Sequence, residues 1–220
     1  MKILFALIII ASGVVFSFAQ NEQSPMVEKE IGYKDWTYKN LKGGGETNLR
    51  QFAKGKKLVM VVYWAPWCHN WAHDVGFVQE LHQKYAKDGL AVIGVAEYDP
   101  VDKMKQNYEQ NKLTFPSVYE AAASAERLNT VHYAQRTAAG DTRKWGSPWY
   151  VFLDPATIQS SGDVVASKVQ VVNGELIRPD AEKFIREKLG LATASPVASV
   201  KSKEIEVCEP DAKGPTLVKP

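Results

Sequence analysis

An unbroken run of apolar residues at positions 58–64 constrains the fold of this chain more than any other feature. A strand in which polar residues do not alternate with apolar ones is typical of the centre of a sheet that is covered on both faces. Apolar residues then recur at helical spacing, at Trp71, Val75, Val78, Leu81 and Tyr85. A second apolar run follows at positions 90–96, so the order strand, helix, strand predicts an α/β sheet with crossover connections.

The second half of the chain extends this pattern with further strands and helices. We expect a helix over residues 99–110, a strand over 149–153 and an antiparallel partner over 164–172. A last helix is expected from a cap at Asp180 to a stop at Gly190, since aspartate favours helix starts and glycine favours helix ends. The whole pattern fits one α/β domain.

The two ends of the chain differ in composition from this domain. Lys2 precedes an apolar run that stops before polar residues, so residues 1–19 are predicted to be a signal peptide. The run is short for a membrane span, although an uncleaved anchor is the alternative. Residues 20–30 are predicted to be a flexible lead-in, residues 31–191 the folded domain and residues 192–220 a disordered tail. These boundaries predict a periplasmic or secreted protein without stable membrane insertion after cleavage.

Charge and cysteine content exclude several classes of protein. The formal net charge is +2, and basic residues are scattered among acidic ones, which argues against nucleic-acid binding. Only two cysteines are present, Cys68 and Cys208, too few for a small scaffold held by several disulfides. Each cysteine is therefore considered for chemistry of its own.

Residues 61–71 contain Trp64, Ala65, Pro66, Trp67 and Cys68 in succession, between the first apolar strand and the helix. This segment resembles the active-site segment of thioredoxin-like proteins, and it is most similar to the exported thiol-disulfide reductases of the TlpA type. Residues 146–148, followed by the apolar strand, resemble the cis-proline loop of the same superfamily. The resemblance covers residues 36–189 and implies a thioredoxin-like fold, with a central mixed sheet flanked by helices.

The resemblance implies a thiol-disulfide exchange reaction at Cys68. A cysteine at the first turn of a helix lies where unpaired N–H groups and the helix dipole favour a thiolate, which is the attacking species. Pro148 is expected in a cis bond against Cys68, with the Ser147 backbone aligning an extended substrate. Trp67 would form an exposed aromatic wall, or else a core side chain. The partners would be protein or small-molecule thiols and disulfides, and no cofactor is implied because the electrons travel on sulfur.

Two positions depart from the pattern of the superfamily. Trp71 stands where the second motif cysteine is expected, and Val62 stands where thioredoxins often keep a buried carboxylate. Tryptophan has no nucleophile, so the two-cysteine cycle cannot close within the motif. A mixed disulfide on Cys68 would then be resolved by an outside thiol or by Cys208 on the flexible tail, whose length adds little to the cost of closure.

Three alternatives stay open at this point. The fold could serve as a non-catalytic binding module for a client polypeptide. His69 and His73 lie four residues apart on one helical face near Cys68, which suits a metal site, although two solvated histidines are the more usual explanation. Peroxide reduction would also need one thiol, but the threonine and arginine setting of peroxiredoxins is not evident in the sequence.

Overall fold

The computed structural model describes residues 22–192. The predicted signal peptide lies outside the described residues, as do Cys208 and all of the predicted tail beyond Ala192. Within the described residues, no helix is long and apolar enough to cross a membrane.

Two sheets and five α-helices make up the described part of the chain, together with short 3₁₀ turns. The strands are β1 (Gln23–Ser24), β2 (Val27–Lys34), β3 (Thr37–Asn40), β4 (Glu46–Asn48), β5 (Leu58–Trp64), β6 (Leu90–Glu97), β7 (Ser117–Ala121), β8 (Trp149–Leu153), β9 (Val164–Val172) and β10 (Glu175–Leu176). The helices are α1 (Leu49–Ala53), α2 (His69–Tyr85), α3 (Val101–Gln110), α4 (Val131–Ala138) and α5 (Arg178–Leu189).

The main sheet is mixed and has eight strands in the order β2-β9-β8-β5-β6-β7-β3-β4. Strands β5, β6 and β7 are parallel, whereas β8 runs antiparallel to β5 and β9 runs antiparallel to β8. The two predicted apolar strands are therefore adjacent at the centre of the sheet, and the predicted antiparallel partner is present. A separate parallel pair joins β1 to β10.

Every residue of β5 is buried, because the core extends over both faces of the sheet. Met60, Val62 and Trp64 lie in one apolar cluster with residues of α2 and α5. Val59 and Tyr63 point the other way and belong to a second cluster. Successive side chains of a strand alternate between faces, so a strand covered on both sides has no polar position.

The structure corrects two sequence-based boundaries. The predicted flexible lead-in over residues 20–30 does not hold for most of residues 23–30, because β2 begins at Val27 and pairs with β9. As an edge strand, β2 has polar side chains exposed to solvent while its backbone joins the sheet. The last helix begins at Arg178 with Ile177 as its cap, so Asp180 lies in the first turn and is not the cap. Pro179 is accommodated there, since the first turn needs no N–H from it.

Candidate functional site

Cys68 lies at the junction between the central strand and the helix that follows it. It is the N-cap residue of α2, and its carbonyl accepts a hydrogen bond from the Ala72 N–H at 3.1 Å. Its own N–H bonds back to the Ala65 carbonyl at 3.0 Å, closing the turn that leaves β5. The side chain is half-buried, and among the described residues Cys68 is a free cysteine. The sulfur thus lies beside the unpaired N–H groups of the first helical turn.

The loop before β8 contacts this turn directly. The Ser147–Pro148 peptide bond is cis, and the Cys68 Sγ lies 3.2 Å from the Ser147 carbonyl oxygen. The Ser147 hydroxyl accepts a hydrogen bond from the Ala65 N–H at 3.0 Å, which ties the loop to the end of β5. Ser147 itself is almost fully buried. The structure therefore brings together Cys68, Ser147 and Pro148, which are far apart in the sequence.

A shallow cleft opens beside the sulfur, with a volume of about 310 Å³. Its lining residues come from the N-terminal segment, the start of α2 and the loop before β8: Glu22, Trp67, Cys68, His69, Asn70, Arg143, Lys144, Trp145, Gly146 and Ser147. The Trp67 side chain is 46% exposed and packs edge-on against Trp145 at 5.1 Å between ring centroids. The sequence left open whether Trp67 is an exposed aromatic wall or a core side chain, and in the structure it is exposed.

Arg143 lies in this cleft and was not identified from the sequence. Its guanidinium is paired with the buried carboxylate of Asp141, at 2.7 Å from Nη2 to Oδ2. The same guanidinium donates to the carbonyl oxygens of Ser147 at 3.3 Å and Pro148 at 2.8 Å. An arginine held by so many partners places a positive charge in the cleft in a fixed orientation, and it shares the Ser147 carbonyl with the sulfur. Nothing in the local sequence pattern around Arg143 indicates this role.

Buried His132 supports the same loop from behind. Its Nε2 lies 3.1 Å from the Gly146 carbonyl, and its Nδ1 lies 2.8 Å from the Tyr98 hydroxyl. Because a carbonyl can only accept, Nε2 carries the proton and Nδ1 accepts from Tyr98. Burial, and then the charge of Arg136, lower the pKa of His132 well below its usual value, so the ring stays neutral. The sequence offered no companion for this histidine.

The Gly146 position is also tightly constrained. Its φ of 60° lies in the left-handed region, and a Cβ at this position would lie 2.3 Å from the Arg136 Cδ. Arg136 cannot move aside freely, because its guanidinium donates to the backbone carbonyls of Arg143 and Lys144. Only glycine therefore fits where the loop turns toward the sulfur.

A buried carboxyl group lies on the helix side of the site, although Val62 has none. Tyr150 is the register partner of Val62 in the neighbouring strand, and its hydroxyl donates to Asp74 of α2 at 2.6 Å. Asp74 also accepts from the Leu176 N–H at 2.8 Å. Burial raises the pKa of Asp74 above its usual value, and these hydrogen bonds oppose that shift. The sequence analysis looked for a buried carboxylate at Val62 in β5 and therefore missed Asp74, which lies in helix α2.

Trp71 is fully buried and belongs to the core. Its ring stacks on Trp64 at 5.5 Å between centroids, and its indole N–H lies 3.3 Å from the Asn107 side-chain oxygen. Asn107 in turn donates to the Pro66 carbonyl at 3.2 Å. Trp71 thereby supports, through Asn107, the turn that precedes Cys68.

The two histidines considered for a metal lie close together on α2. The rings of His69 and His73 are 4.6 Å apart between centroids, and His73 is directed toward Glu175 at 3.6 Å. Over residues 22–192, no group of three or more histidine, cysteine, aspartate or glutamate side chains is placed to hold a metal ion.

Two comparisons of the sequence with known proteins each match about half of the chain. A model of the AhpC/TSA family matches residues 32–139. The thioredoxin-like protein YneN of Bacillus subtilis is 29% identical over 116 residues, which amount to 48% of this chain. The chain spans 65% of the length of that relative.

Solved structures with the same architecture cover most of the described domain. A DsbF homologue from Corynebacterium diphtheriae superposes with a TM-score of 0.53 at 16% identity, over 74% of this chain and 92% of that one. A secreted thiol-disulfide isomerase from Corynebacterium glutamicum gives 0.54 at 18% identity, over 75% and 92%. A thioredoxin-family thiol:disulfide interchange protein from Chlorobium tepidum gives 0.52 at 17% identity, over 74% and 98%. The chain has a thioredoxin-like fold, and the prediction of the fold class is confirmed.

Proposed function

We propose that this protein carries out thiol-disulfide exchange through the single motif thiol of Cys68. In the forward step the Cys68 thiolate attacks one sulfur of a disulfide, a new S–S bond forms, the old one breaks, and the other half leaves as a thiolate. A second thiol then attacks the mixed disulfide and releases Cys68. That thiol is either an outside molecule or Cys208, which lies outside the described residues.

The observation that carries this proposal is the position of one sulfur. The Cys68 Sγ lies 3.2 Å from the Ser147 carbonyl, beside a cis proline, at the N-terminus of a 17-residue helix and at the edge of a cleft. The sulfur lies at the N-terminal end of α2, and the cleft it faces also contains the fixed guanidinium of Arg143. A half-buried thiol in such surroundings is suited to nucleophilic attack.

Trp71 supports a one-cysteine mechanism within the motif. The resemblance places the second motif cysteine at this position, and the buried indole there can neither attack nor leave. The pKa of Asp74 in α2 is raised, and its carboxyl group accepts a hydrogen bond from Tyr150. This buried pair can take up or release a proton on the helix side of the site. Alignment of an extended substrate by the Ser147 backbone would have to displace these contacts or use the N–H, because the Ser147 carbonyl already accepts from Cys68 and Arg143.

We also propose that the protein is exported, with cleavage after Ala19. The apolar N-terminal run and the small residues before Gln20 support this proposal. The intact mass of protein recovered from the periplasm or medium tests it, and a mass that includes residues 1–19 would contradict it.

Trapping of mixed disulfides tests the exchange reaction. The mature protein is incubated with a neutral disulfide, bis(2-hydroxyethyl) disulfide, quenched with acid and analysed by intact mass. We expect an adduct on the wild type and on Cys208→Ser, and none on the double variant Cys68→Ser/Cys208→Ser, because Cys208 can itself form an adduct when only Cys68 is replaced. In Cys208→Ser the adduct should persist longer if Cys208 resolves it, and equally long if an outside thiol does.

In the Cys208→Ser background, loss of Cys68 must remove the adduct for the proposal to stand. If Cys208→Ser, in which Cys68 is the single cysteine, forms no adduct, exchange chemistry is excluded and a binding module for a client polypeptide becomes the better proposal. Circular dichroism of each variant confirms that the serine proteins are folded, so a missing adduct reports on the thiol.

A further inference from the structure

The N-terminal segment of the described chain crosses the mouth of the Cys68 cleft. The Glu22 Oε2 accepts a hydrogen bond from the Asn70 side-chain amide at 2.6 Å and lies 3.5 Å from the Arg143 Nη1. Asn70 belongs to the first turn of α2, two residues after Cys68. A carboxylate of the protein itself therefore lies at the entrance to the proposed reaction site.

Backbone contacts around Glu22 place this residue at the mouth of the cleft. The Glu22 carbonyl accepts from the Glu175 N–H at 3.0 Å, and the next two residues pair with β10. The Ser24 hydroxyl donates to the Asn173 carbonyl at 3.0 Å. The backbone is thus fixed, whereas the Glu22 side chain is 48% exposed and free to rotate away.

The cleft at this point is built to accept an anion. Arg143 and Lys144 are its basic lining residues, and among the lining residues Glu22 is the single carboxylate. Arg127 adds a third positive charge, 5.2 Å from the centre of the Trp145 ring. The Arg143 guanidinium keeps its orientation without Glu22, because Asp141 and two backbone carbonyls hold it. Fixed donors lose little entropy when they bind a carboxylate.

We propose that Asn70 and Arg143 form a carboxylate subsite beside Cys68, which Glu22 occupies in the free protein and which a carboxylate of the reaction partner takes over. The partner is then a disulfide or thiol with a carboxylate close to its sulfur. This inference rests on the exchange reaction proposed for Cys68. An exposed ion pair of this kind is weak, so Glu22 is readily displaced.

The Arg143 Nη1 and the Cys68 sulfur share one neighbour, which sets the spacing of the subsite. The Ser147 carbonyl oxygen lies 3.3 Å from Nη1 and 3.2 Å from Sγ. Nη1 and Sγ are therefore at most about 6.5 Å apart, so a carboxylate bound at Nη1 lies on the same side of the cleft as the attacking sulfur. The bond changes are those of ordinary exchange: Cys68 gains an S–S bond, and the partner loses one and releases a thiolate.

A comparison of three small disulfides tests the subsite. Rates of adduct formation on the mature protein are measured at low ionic strength with dithiodiglycolate, which is anionic, bis(2-hydroxyethyl) disulfide, which is neutral, and cystamine, which is cationic. Each rate is divided by the rate with free cysteine, which removes the intrinsic reactivity of the reagent. The ratio of anionic to neutral rate should exceed one in the wild type and should decline with added salt.

Variants of the subsite should shift this ratio in opposite directions. Glu22→Gln should raise it by about twofold to fivefold, the size expected for losing a weak competing ion pair. Asn70→Ala should lower it by a similar factor. Glu28→Gln removes the same charge from β2, where Glu28 faces Lys168, and should leave the ratio unchanged.

An independent variant displaces Glu22 without altering its charge. A Cβ at Gly174 would lie 2.2 Å from the Glu22 carbonyl oxygen, so Gly174→Ala should push the segment off its place and raise the ratio as Glu22→Gln does. If Glu28→Gln raises the ratio as much as Glu22→Gln, the effect is general charge and the subsite is excluded. Equal ratios in the wild type, Glu22→Gln and Asn70→Ala exclude it too.

Failure of the subsite is distinguishable from failure of the exchange reaction. No adduct with any of the three disulfides removes the exchange reaction, whereas adducts without charge preference remove only the subsite. Oxidised glutathione and a peptide disulfide with glutamate beside cysteine, each against its amide analogue, identify the source of the carboxylate. Faster reaction of either carboxylate-bearing disulfide than of its amide analogue supports the subsite, and equal rates within both pairs overturn it.

Discussion

The contribution of Glu97 to the free energy of unfolding should fall as the pH rises above about 4.5, and Glu97→Gln should remove that contribution. Glu97 ends β6 and is fully buried, and neither oxygen of its carboxyl group has a hydrogen-bond partner among the described residues. Burial, and then the charge of Glu120, raise the pKa of Glu97 well above its usual value. The group therefore stays protonated in the folded protein over a wide range of pH.

The sign of the effect follows from where the proton is bound. In the unfolded chain Glu97 loses its proton near pH 4.5, but in the folded protein it keeps it, so the folded state binds more protons above that pH. Its stabilising contribution is complete below the unfolded pKa and is lost as the pH rises toward the folded pKa. Each pH unit in this window costs about 1.4 kcal/mol.

The groups that face Glu97 explain why no positive charge stabilises its ionised form. His132 Nδ1 lies 4.0 Å away, but that ring is neutral and accepts from Tyr98. Glu120 is the nearest anion, and its carboxylate accepts from the N–H groups of Val131 and His132 at the start of α4. Two adjacent carboxyl groups cannot both ionise in a buried site, so the proton remains on Glu97.

Urea unfolding at several pH values measures this effect. Between pH 4.5 and 7, the stability of Glu97→Gln relative to the wild type should rise by about 2 to 3 kcal/mol. Exposed Glu46 on β4 offers a matched control, and Glu46→Gln should follow the wild-type curve. Parallel curves for the wild type and Glu97→Gln would mean that Glu97 ionises in the folded protein.

Trp71→Ala should lower the free energy of unfolding by about 3 to 5 kcal/mol, the range for removing a fully buried aromatic side chain. The indole projects from the start of α2, stacks on Trp64 and is fully buried. Trp71→Phe retains an aromatic ring and should lose about 1 to 2 kcal/mol, from the smaller volume and the lost bond to Asn107.

Chemical denaturation of the two Trp71 variants provides the measurement, and reaction with a neutral disulfide provides a second one. Asn107 links Trp71 to the Pro66 carbonyl, so the turn before Cys68 should loosen in Trp71→Ala and adduct formation should slow in the folded protein. A loss below 1 kcal/mol would show that the core repacks around the missing ring. The position would then tolerate a small residue such as cysteine without a large cost.

The central strands and the position of Cys68 were predictable from the sequence, because their causes are local. Residues 58–64 carry no polar residue, and Cys68 follows them at the start of a helical pattern. The edge strand β2 was not predictable in the same way. Its polar side chains suit solvent on one face, and only pairing with β9, more than a hundred residues away, makes it a strand.

Most of the candidate site was decided by tertiary structure. Cys68 and Ser147 are 79 residues apart in the chain and meet only because β8 pairs with β5. His132 and Glu22 are held by contacts to other segments, whereas Arg143 is held by its own loop, which reaches Cys68 only in the folded chain. Local patterns specify which residues become strands and helices, but the surroundings of the sulfur depend on contacts distant in sequence, which no local pattern encodes.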